Sequence, residues 1–284
     1  MMEIISQLDA LRTRVNTWKQ EGHRVGFVPT MGNLHAGHFG LVELMLRHAD
    51  KVVVSVFVNP TQFGPNEDFD RYPRTPEADA DGLQAAGCDA LWLPSVEAMY
   101  PYGAEHAVRI HVPGITDTLD GASRPGHFDG VATVVARLFN QVQADVAVFG
   151  RKDYQQLAVI RYLVRDLAFP NKIVAADTLR DGDGLAMSSR NQYLSEEERA
   201  IAPTIHRVLL TMRDAWQAGM PRSEIEASAD QTLRAAGFVP DYAVVRNPDF
   251  SEPTESSDGA LVALIAARLG KTRLIDNLEF DAGT

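Results

Sequence analysis

The segment Val25-Gly-Phe-Val-Pro-Thr-Met-Gly-Asn-Leu-His-Ala-Gly-His38 carries the strongest fold signal in this chain of 284 residues. Its first six residues form a short apolar strand. The residues after it recur at helical spacing, at Leu41, Leu44, Met45 and His48. Residues 51–58 then form a second apolar strand, of the kind that is buried on both faces. A strand, a helix and a strand of these lengths predict a right-handed parallel crossover.

His35 and His38 occupy the turn and the first helical position after the first strand. In a parallel sheet this is the carboxyl edge, where such folds bind their ligands. The amino terminus of the helix adds free N–H groups and a partial positive charge. The histidine pair therefore predicts chemistry at a nucleotide phosphate.

Two histidines three residues apart have three interpretations: a metal site, two structural side chains, or a phosphate clamp. Zinc sites on a helix usually space their histidines four apart and need further ligands, whereas this chain shows no partner motif and Cys88 is its single cysteine. Gly32 and Gly37 permit close backbone approach, which favours the clamp over structural histidines. The P-loop motif GxxxxGK(S/T) is absent, which argues against transfer of a γ-phosphate.

A second wall for a nucleotide is predicted where the strand 145–149 ends. Lys152 and Asp153 stand there at the start of a helix. The ammonium can meet a phosphate, and the carboxylate can accept from a ribose or polarise a magnesium-bound water. The alternative is that both are ordinary surface charges of a first helical turn.

Three further segments are candidate binding loops. Residues 187–191, after the strand 172–179, offer two hydroxyls and an arginine suited to a phosphate. Gln62, in the long irregular segment 59–74, suits a hydroxyl or carboxylate of an acid, and a loop of that length is often a lid. Residues 121–128 form a similar basic loop. Each of these segments also fits a plain surface turn.

The order of elements predicts two domains. Strands and helices alternate through about residue 185, which indicates an α/β fold with a Rossmann-like, doubly wound parallel sheet over 1–185. Residues 186–284 are predicted to form a smaller α+β domain. Its predicted helices are one that starts at the capping box Ser195-Glu-Glu-Glu198 and runs through Met212, and one over 225–236. Its predicted strands lie at 242–245, 261–265 and 273–275.

Composition limits the partners and the location. A formal net charge of −11 and a pI near 5.2 argue against nucleic-acid binding, which depends on neutralising phosphates. A single cysteine suits a reducing compartment. The chain shows neither a signal peptide nor an apolar run long enough to span a bilayer, so we expect a cytoplasmic protein with no membrane partner.

Taken in order along the chain, several motifs make a specific resemblance. They are PTMGNLHAGH (29–38), VSVFVNPTQF (54–63), RYPRT (71–75), DGASRPGHF (120–128), FGRKDYQQL (149–157), DGLAMSSRN (183–191) and LIDN (274–277). Together they resemble the pantothenate synthetases, or pantoate–β-alanine ligases, of the HIGH-containing nucleotidylyltransferase superfamily. The resemblance covers nearly the whole chain.

The resemblance implies an ATP-dependent condensation of pantoate with β-alanine through a pantoyl-adenylate, releasing AMP and pyrophosphate. It implies His38, His35 and Lys152 as catalytic residues, with His38 as the proton donor. The implied ATP-binding residues are Met31, Gly32, Asn33, Leu34, His35, Ala36, Gly37, His38, Gly150, Arg151, Lys152, Asp153, Leu179, Met187, Ser188, Ser189 and Arg190.

Gln62 and Gln156 are implied to bind pantoate, and Gln62 also to lie beside β-alanine. ATP as co-substrate, Mg²⁺ with unknown ligands, a homodimer and residues 1–185 as the catalytic domain follow from the same resemblance. Two positions depart from the family pattern, which commonly has Met at Thr61 and Glu at Arg151. The alternatives are a nucleotidyltransferase that adenylylates a phosphorylated cofactor precursor, and a noncatalytic nucleotide-binding module.

Overall fold

The computed structural model describes residues 1–65, 67, 69–254 and 259–283. Asn66 and Asp68, in the predicted loop 59–74, lie outside the described residues. The chain divides into two compact units: the first comprises Met1–Arg151 and Gln155–Asp177, and the second comprises Lys152–Tyr154 and Thr178–Thr284.

The first unit is built on a six-stranded parallel sheet. Its strands are β1 (Glu3–Ile5), β2 (Val25–Thr30), β3 (Lys51–Val56), β4 (Ala90–Trp92), β5 (Val146–Gly150) and β6 (Lys172–Ala176). Its helices are α1 (Leu8–Gln20), α2 (Ala36–Met45), α3 (Pro76–Ala85), α4 (Val96–Met99), α5 (Asp120–Ser123), α6 (His127–Val142) and α7 (Tyr154–Asp166), whose first residue belongs to the second unit.

The central strands are apolar on both faces because both faces are covered. Phe27 and Val53 enter one core cluster with α1 and α6, whereas Val28 and Val54 enter another with α2. Successive side chains of a strand point to opposite faces, so an uninterrupted apolar run feeds both clusters at once. The architecture confirms the predicted α/β class.

The strand order places the candidate site. The sheet runs β1-β4-β3-β2-β5-β6, so the chain builds outward from β2 in one direction and from β5 in the other. β2 and β5 are neighbours in parallel register, with Phe27 opposite Ala147. A ligand crevice is expected where the order reverses, beyond the carboxyl ends of these two strands.

The second unit is an antiparallel sheet with helices. Its strands β7 (Phe238–Arg246), β8 (Ala260–Leu269) and β9 (Thr272–Asp281) pair in the order β7-β8-β9 and are longer than the sequence predicted. Its helices are α8 (Glu196–Ile201), α9 (Thr204–Gln217) and α10 (Arg222–Ala235).

Two details of this unit differ from the sequence prediction. The single helix expected from Ser195 through Met212 is divided between α8 and α9, because Pro203 has no N–H to continue the ladder. Apart from Lys152–Tyr154, the unit runs from Thr178 rather than from near residue 186. Arg180 forms a bidentate ion pair with Asp276 of β9, and this contact ties the segment before 186 to the second unit.

Among the described residues, none of the helices has the length and the apolar character needed to cross a membrane.

Candidate active site

The loop after β2 turns sharply before α2. Gly32 has a φ of +82° and Asn33 a φ of +50°, both in the left-handed region that favours glycine and tolerates asparagine. A Cβ at Gly32 would lie 2.9 Å from Cγ1 of Val56 on the adjacent strand β3. A larger residue here would have to displace the Val56 side chain and would strain the backbone at this φ.

A buried carboxylate holds the loop from beneath. Asp79 of α3 is 3% exposed, and its Oδ2 accepts from the N–H of Asn33 at 2.9 Å. Its Oδ1 accepts from the N–H of Leu34 at 2.8 Å and from the hydroxyl of Thr75 at 3.0 Å. Three donors compensate the burial of one charge.

The two histidines cap the helix that they begin. His35 is the N-cap of α2, and its Nδ1 accepts from the N–H of Gly37 at 3.1 Å. His38, at the third helical position, accepts through Nδ1 from the N–H of His35 at 3.3 Å. This is a reciprocal capping box with imidazoles in the places usually taken by a hydroxyl and a glutamate. The ring centroids are 4.2 Å apart.

The capping bonds determine which ring nitrogen carries the proton. An Nδ1 that accepts a backbone N–H holds no proton of its own, so each neutral ring carries its proton on Nε2. Each ring therefore offers a directed Nε2–H donor.

The prediction of free N–H groups at the start of this helix is wrong for five of them, which are hydrogen-bonded: those of Gly32, Asn33, Leu34, Gly37 and His38. The N–H of Gly37 is bound by His35, and the N–H of His38 donates to the carbonyl of His35 at 2.8 Å. The N–H groups of Asn33 and Leu34 are bound by Asp79, and that of Gly32 reaches the hydroxyl of Thr30 at 3.3 Å. Side chains satisfy amides that a P-loop would offer to phosphate.

Gln62 lies in a short 3₁₀ turn, Pro60–Gln62, that follows β3, and it is 8% exposed. Its Oε1 accepts from Nδ2 of Asn59 at 3.1 Å, which leaves its amide nitrogen as the donor end. That nitrogen lies 2.9 Å from Sδ of Met31, in the histidine loop. The structure thus brings together Gln62 and the loop 31–38, which the sequence assigned to pantoate and to ATP.

Asn59 organises the surroundings of Gln62 and was missed by the sequence reasoning. It is 1% exposed, and its Oδ1 accepts from the hydroxyl of Tyr100 at 2.6 Å and from that of Thr61 at 3.1 Å. Its Nδ2 also donates to the carbonyl of Gly130 at 3.1 Å. Thr61 therefore places a hydroxyl in a polar network, where the family pattern would place an apolar methionine.

The predicted basic loop 121–128 joins the same region through His127. Nδ1 of His127 lies 2.8 Å from the carbonyl of Gln62, and Nε2 lies 2.9 Å from Nη1 of Arg124. Arg124 also makes a bidentate pair with Glu67 at 2.6 Å per bond. Burial, together with the neighbouring Arg124 charge, lowers the pKa of His127 to about 4. The ring is therefore neutral at pH 7 and donates to Gln62.

Helix α6 packs against the turn of Gln62 without a side chain between them. A Cβ at Gly130 would lie 2.4 Å from the carbonyl oxygen of Thr61. Because that atom is backbone, it cannot move aside cheaply, and only glycine fits. Val131, one residue further along α6, belongs to the main core, so the turn is anchored to the interior of the unit.

Gln156 lies in the first turn of α7 and is half-buried. Its neighbour Gln155 is 4% exposed and fastens the preceding loop: its Nε2 donates to the carbonyls of Ile115 and Thr118, and its Oε1 accepts from the N–H of Asp120. The two glutamines thus have separate tasks. The bonds of Gln155 are structural, and Gln156 is the one that the sequence assigns to pantoate.

Gly150 is the last residue of β5, at the switch point beside β2. The N–H of Arg151 donates to the carbonyl of Ala176 at 2.8 Å, and its guanidinium pairs with Asp177 at 3.2 Å. Arg151, a departure from the family pattern, is therefore partly neutralised by a local carboxylate.

The remaining predicted ATP residues belong to the second unit. Lys152 has a largely buried side chain, and its Nζ lies 3.9 Å from Oδ1 of Asp153. Its carbonyl accepts from Nδ2 of Asn277 at 2.8 Å, which joins the LIDN segment to the GRKD motif. Asp276, the neighbour of Asn277, carries the ion pair to Arg180.

Leu179 and the segment from Met187 to Arg190 form one short hairpin of the second unit. The N–H of Met187 donates to the carbonyl of Leu179 at 3.0 Å, and Arg180 bridges to Ala186. Ser188 caps the 3₁₀ helix Ser189–Tyr193 by accepting from the N–H of Arg190 at 3.3 Å. Leu179 is 47% exposed.

The family model described as pantoate–β-alanine ligase matches residues 3–279. The pantothenate synthetase of Xanthomonas euvesicatoria pv. vesicatoria (strain 85-10) is 67% identical over 280 residues, which cover 99% of this chain and 100% of that protein. The chain belongs to the pantoate–β-alanine ligase family.

Solved structures of this ligase family agree. Pantothenate synthetase from Thermus thermophilus has a TM-score of 0.92 at 47% identity and covers 100% of both chains. Pantoate–β-alanine ligase from Francisella tularensis, complexed with β-γ ATP and β-alanine, has a TM-score of 0.83 at 32% identity and covers 100% of this chain and 99% of its own.

The metal interpretation of the histidine pair of this ligase gains no support. Within the described ranges, no group of three or more His, Cys, Asp or Glu side chains is arranged to hold a metal ion. The buried residues that reasoning from sequence missed are Asn59, Asp79 and Tyr100. Asn59 stands inside a quoted motif, but Asp79 and Tyr100 lie in no motif, and only their burial marks them.

Proposed function

We propose that this chain activates the carboxylate of pantoate with ATP, forms a pantoyl-adenylate and pyrophosphate, and transfers the pantoyl group to β-alanine with release of AMP. Membership of the family and the relative complexed with β-γ ATP and β-alanine support the reaction. The observation in this structure that carries the proposal is the imidazole capping box at the switch point, which makes two directed Nε2–H donors.

The first step brings two anions together. The pantoate carboxylate attacks the α-phosphorus in line with the departing pyrophosphate, and the charge on the phosphate oxygens must be stabilised. The Nε2–H groups of His35 and His38 supply fixed donors, with His38 as the proton donor, and Lys152 supplies a point charge. Donors whose orientation is already held by the fold cost no reorganisation at the moment of reaction.

Gln62 is proposed to orient pantoate. Because Asn59 occupies its Oε1 and Met31 Sδ accepts one of its N–H groups, Gln62 has its second N–H to present to the substrate. Hydroxyl and carboxylate oxygens accept such bonds, so the turn selects an oxygen-rich acid. Gln156 is proposed as the second pantoate residue, and Gln62 is also proposed to border β-alanine.

In the second step the neutral amine of β-alanine attacks the acyl carbon, and AMP leaves. Water must be kept from the adenylate meanwhile, and we propose that the loops 59–75 and 121–128 do this. The Glu67–Arg124 pair and the His127–Gln62 bond link these two loops, which supports a common role.

Mg²⁺ is proposed to accompany ATP. It binds oxygen ligands in octahedral geometry and commonly keeps several waters beside substrate phosphates, so it needs few protein ligands. Asp153, a partly exposed carboxylate beside Lys152, is a candidate ligand for that ion. The ion would supply neutralisation of phosphate charge.

The deciding experiment is exchange of labelled pyrophosphate into ATP in the presence of pantoate and the absence of β-alanine. The ligase requires this exchange, whereas a cofactor nucleotidyltransferase or a noncatalytic nucleotide-binding module does not show it. Addition of β-alanine should then give AMP and amide in equal amounts. Absence of exchange by the folded protein with ATP, Mg²⁺ and pantoate would refute the proposal.

The homodimer and the cytoplasmic location remain predictions. Sedimentation equilibrium of the purified chain tests the first, and fractionation of the source cells tests the second.

A further inference from the structure

We propose that Asp79 is a positioning residue for nucleotide binding, because its carboxylate holds the loop 30–38 in the conformation that sets the tautomers of His35 and His38. This inference rests on the proposed function, since it concerns the same nucleotide site. Asp79 acts on the histidines through the backbone of Asn33 and Leu34.

The two hydrogen bonds to Asp79 require a particular backbone geometry. In an extended chain, successive N–H groups point to opposite sides, so one carboxylate cannot bind both. Here the N–H groups of Asn33 and Leu34 meet the two oxygens of Asp79 at 2.9 and 2.8 Å. The left-handed φ of Asn33 turns them to the same side. The carboxylate thus stabilises a conformation that a non-glycine residue otherwise avoids.

The loop that Asp79 holds leads directly into the histidine pair. Leu34 directly precedes His35, the N-cap of α2, and the capping bonds into both Nδ1 atoms are 3.1 and 3.3 Å long. Bonds of this length weaken quickly when the loop moves. Without them an imidazole can place its proton on either nitrogen, and the Nε2–H donors are no longer assured.

A matched carboxylate, Asp145, lies at the other end of the same strand. Asp145 accepts from the N–H of Val25, the first residue of β2, at 2.8 Å and pairs with Lys19 at 3.0 Å. It therefore makes the same kind of backbone bond as Asp79, at the edge of the sheet opposite the histidines. A purely structural carboxylate should behave like Asp145.

The experiment compares Asp79→Asn with Asp145→Asn in the full chain. Asparagine has the shape of aspartate but only one acceptor oxygen, so its amide nitrogen would face a backbone donor in the loop. We expect the dissociation constant for Mg-ATP to rise about 10- to 100-fold in Asp79→Asn, the usual cost of losing a supporting contact behind a binding group. Asp145→Asn should bind Mg-ATP like the unaltered chain.

The second measurement is the tautomer itself. Long-range ¹H–¹⁵N correlation spectra distinguish imidazoles protonated at Nδ1 from those protonated at Nε2. The signals of His35 and His38 should show Nε2–H in the unaltered chain and in Asp145→Asn, and mixed tautomers in Asp79→Asn. Neither this spectrum nor the ATP titration needs turnover, so both test Asp79 even if pyrophosphate exchange fails and the proposed function falls.

Thermal unfolding separates positioning from stability. Asp79→Asn and Asp145→Asn are both expected to lower the Tm, and binding is compared at a temperature where both variants are folded. Unchanged ATP affinity and unchanged histidine signals in folded Asp79→Asn would overturn the inference. If that variant does not fold, Thr75→Val replaces it: it removes one of the three donors to Asp79 and should weaken ATP binding about threefold or more, and unchanged affinity there would overturn the inference equally.

Discussion

The two ends of strand β2 are held by the same chemistry for different purposes. At the amino end, Asp145 accepts the N–H of Val25 and pairs with Lys19 at a surface where its side chain is 38% exposed. At the carboxyl end, Asp79 accepts two N–H groups and is 3% exposed. The carboxylate at the amino end is partly exposed, whereas the one at the carboxyl end is buried and accepts three hydrogen bonds.

This contrast shows that the side chains held most firmly by hydrogen bonds lie at the carboxyl edge of the parallel sheet. At the amino edge, His23 before β2 and Gln143 before β5 lie near the surface. Beyond the carboxyl ends, Gln62 and His127 are locked by hydrogen bonds to buried partners. Substitutions at the two edges should therefore separate loss of function from loss of stability.

The largest expected effect is loss of an imidazole donor at the carboxyl edge. His35→Ala and His38→Ala should each lower the rate of pantoate-dependent pyrophosphate exchange on the order of 10²- to 10³-fold, because each removes a preorganised donor. His23→Ala, before β2, should leave the exchange rate unchanged. Near-normal exchange in both carboxyl-edge variants would contradict the assigned roles.

The next effect concerns pH and the buried ring of His127. Its pKa is about 4 in the folded chain, where burial and Arg124 oppose protonation, against an ordinary value of 6.5. Between these values the unfolded chain binds more protons than the folded chain, so stability falls as the pH drops from 6.5 to 4. Over the whole interval the free energy of unfolding falls by roughly 3 to 4 kcal/mol, since one pKa unit corresponds to about 1.4 kcal/mol.

Urea unfolding at several pH values measures this dependence. His127→Gln should be less stable at pH 7 but should show a flatter decline between pH 6.5 and 4, because the titrating group is gone. His23→Gln, which removes an exposed imidazole at the amino edge, should keep the decline of the unaltered chain. Equal slopes in all three proteins would show that His127 is not the group responsible.

The smallest effect is a change of charge at the pantoate turn. Gln62→Glu removes the donor end of the amide and sets a carboxylate near the substrate acid, so we expect kcat/KM for pantoate to fall about 10- to 100-fold with KM carrying most of the change. Gln143→Glu, an exposed change at the amino edge, should leave both constants alone. A fall in kcat with KM unchanged would instead assign Gln62 to the chemical step.

Local patterns were enough to predict much of this molecule. The apolar runs at 25–30 and 51–56 are strands, and the α/β class and a second unit with helices and strands follow from the order of the elements. Ser195 and Glu198 form the expected capping box. These features depend on residues close in the chain, where periodicity and capping chemistry act directly.

Other features lay beyond local patterns. The helix after Ser195 divides at Pro203, although the apolar spacing continues across it. Asp79 lies 46 residues from Asn33 in the chain, and nothing around it marks it as the acceptor for that loop. The loop amides expected to bind phosphate are instead hydrogen-bonded, because folding brings side-chain acceptors next to them.

The amino-acid sequence by itself determined the class of the fold, the family and the position of two imidazoles beyond a buried strand, because these depend on hydrophobic periodicity and on motifs of adjacent residues. The tertiary structure alone decided which nitrogen of each imidazole faces the backbone, and which carboxylate supports the turn before them. Hydrogen bonds are short and directional, so these choices exist only once distant segments have been packed together.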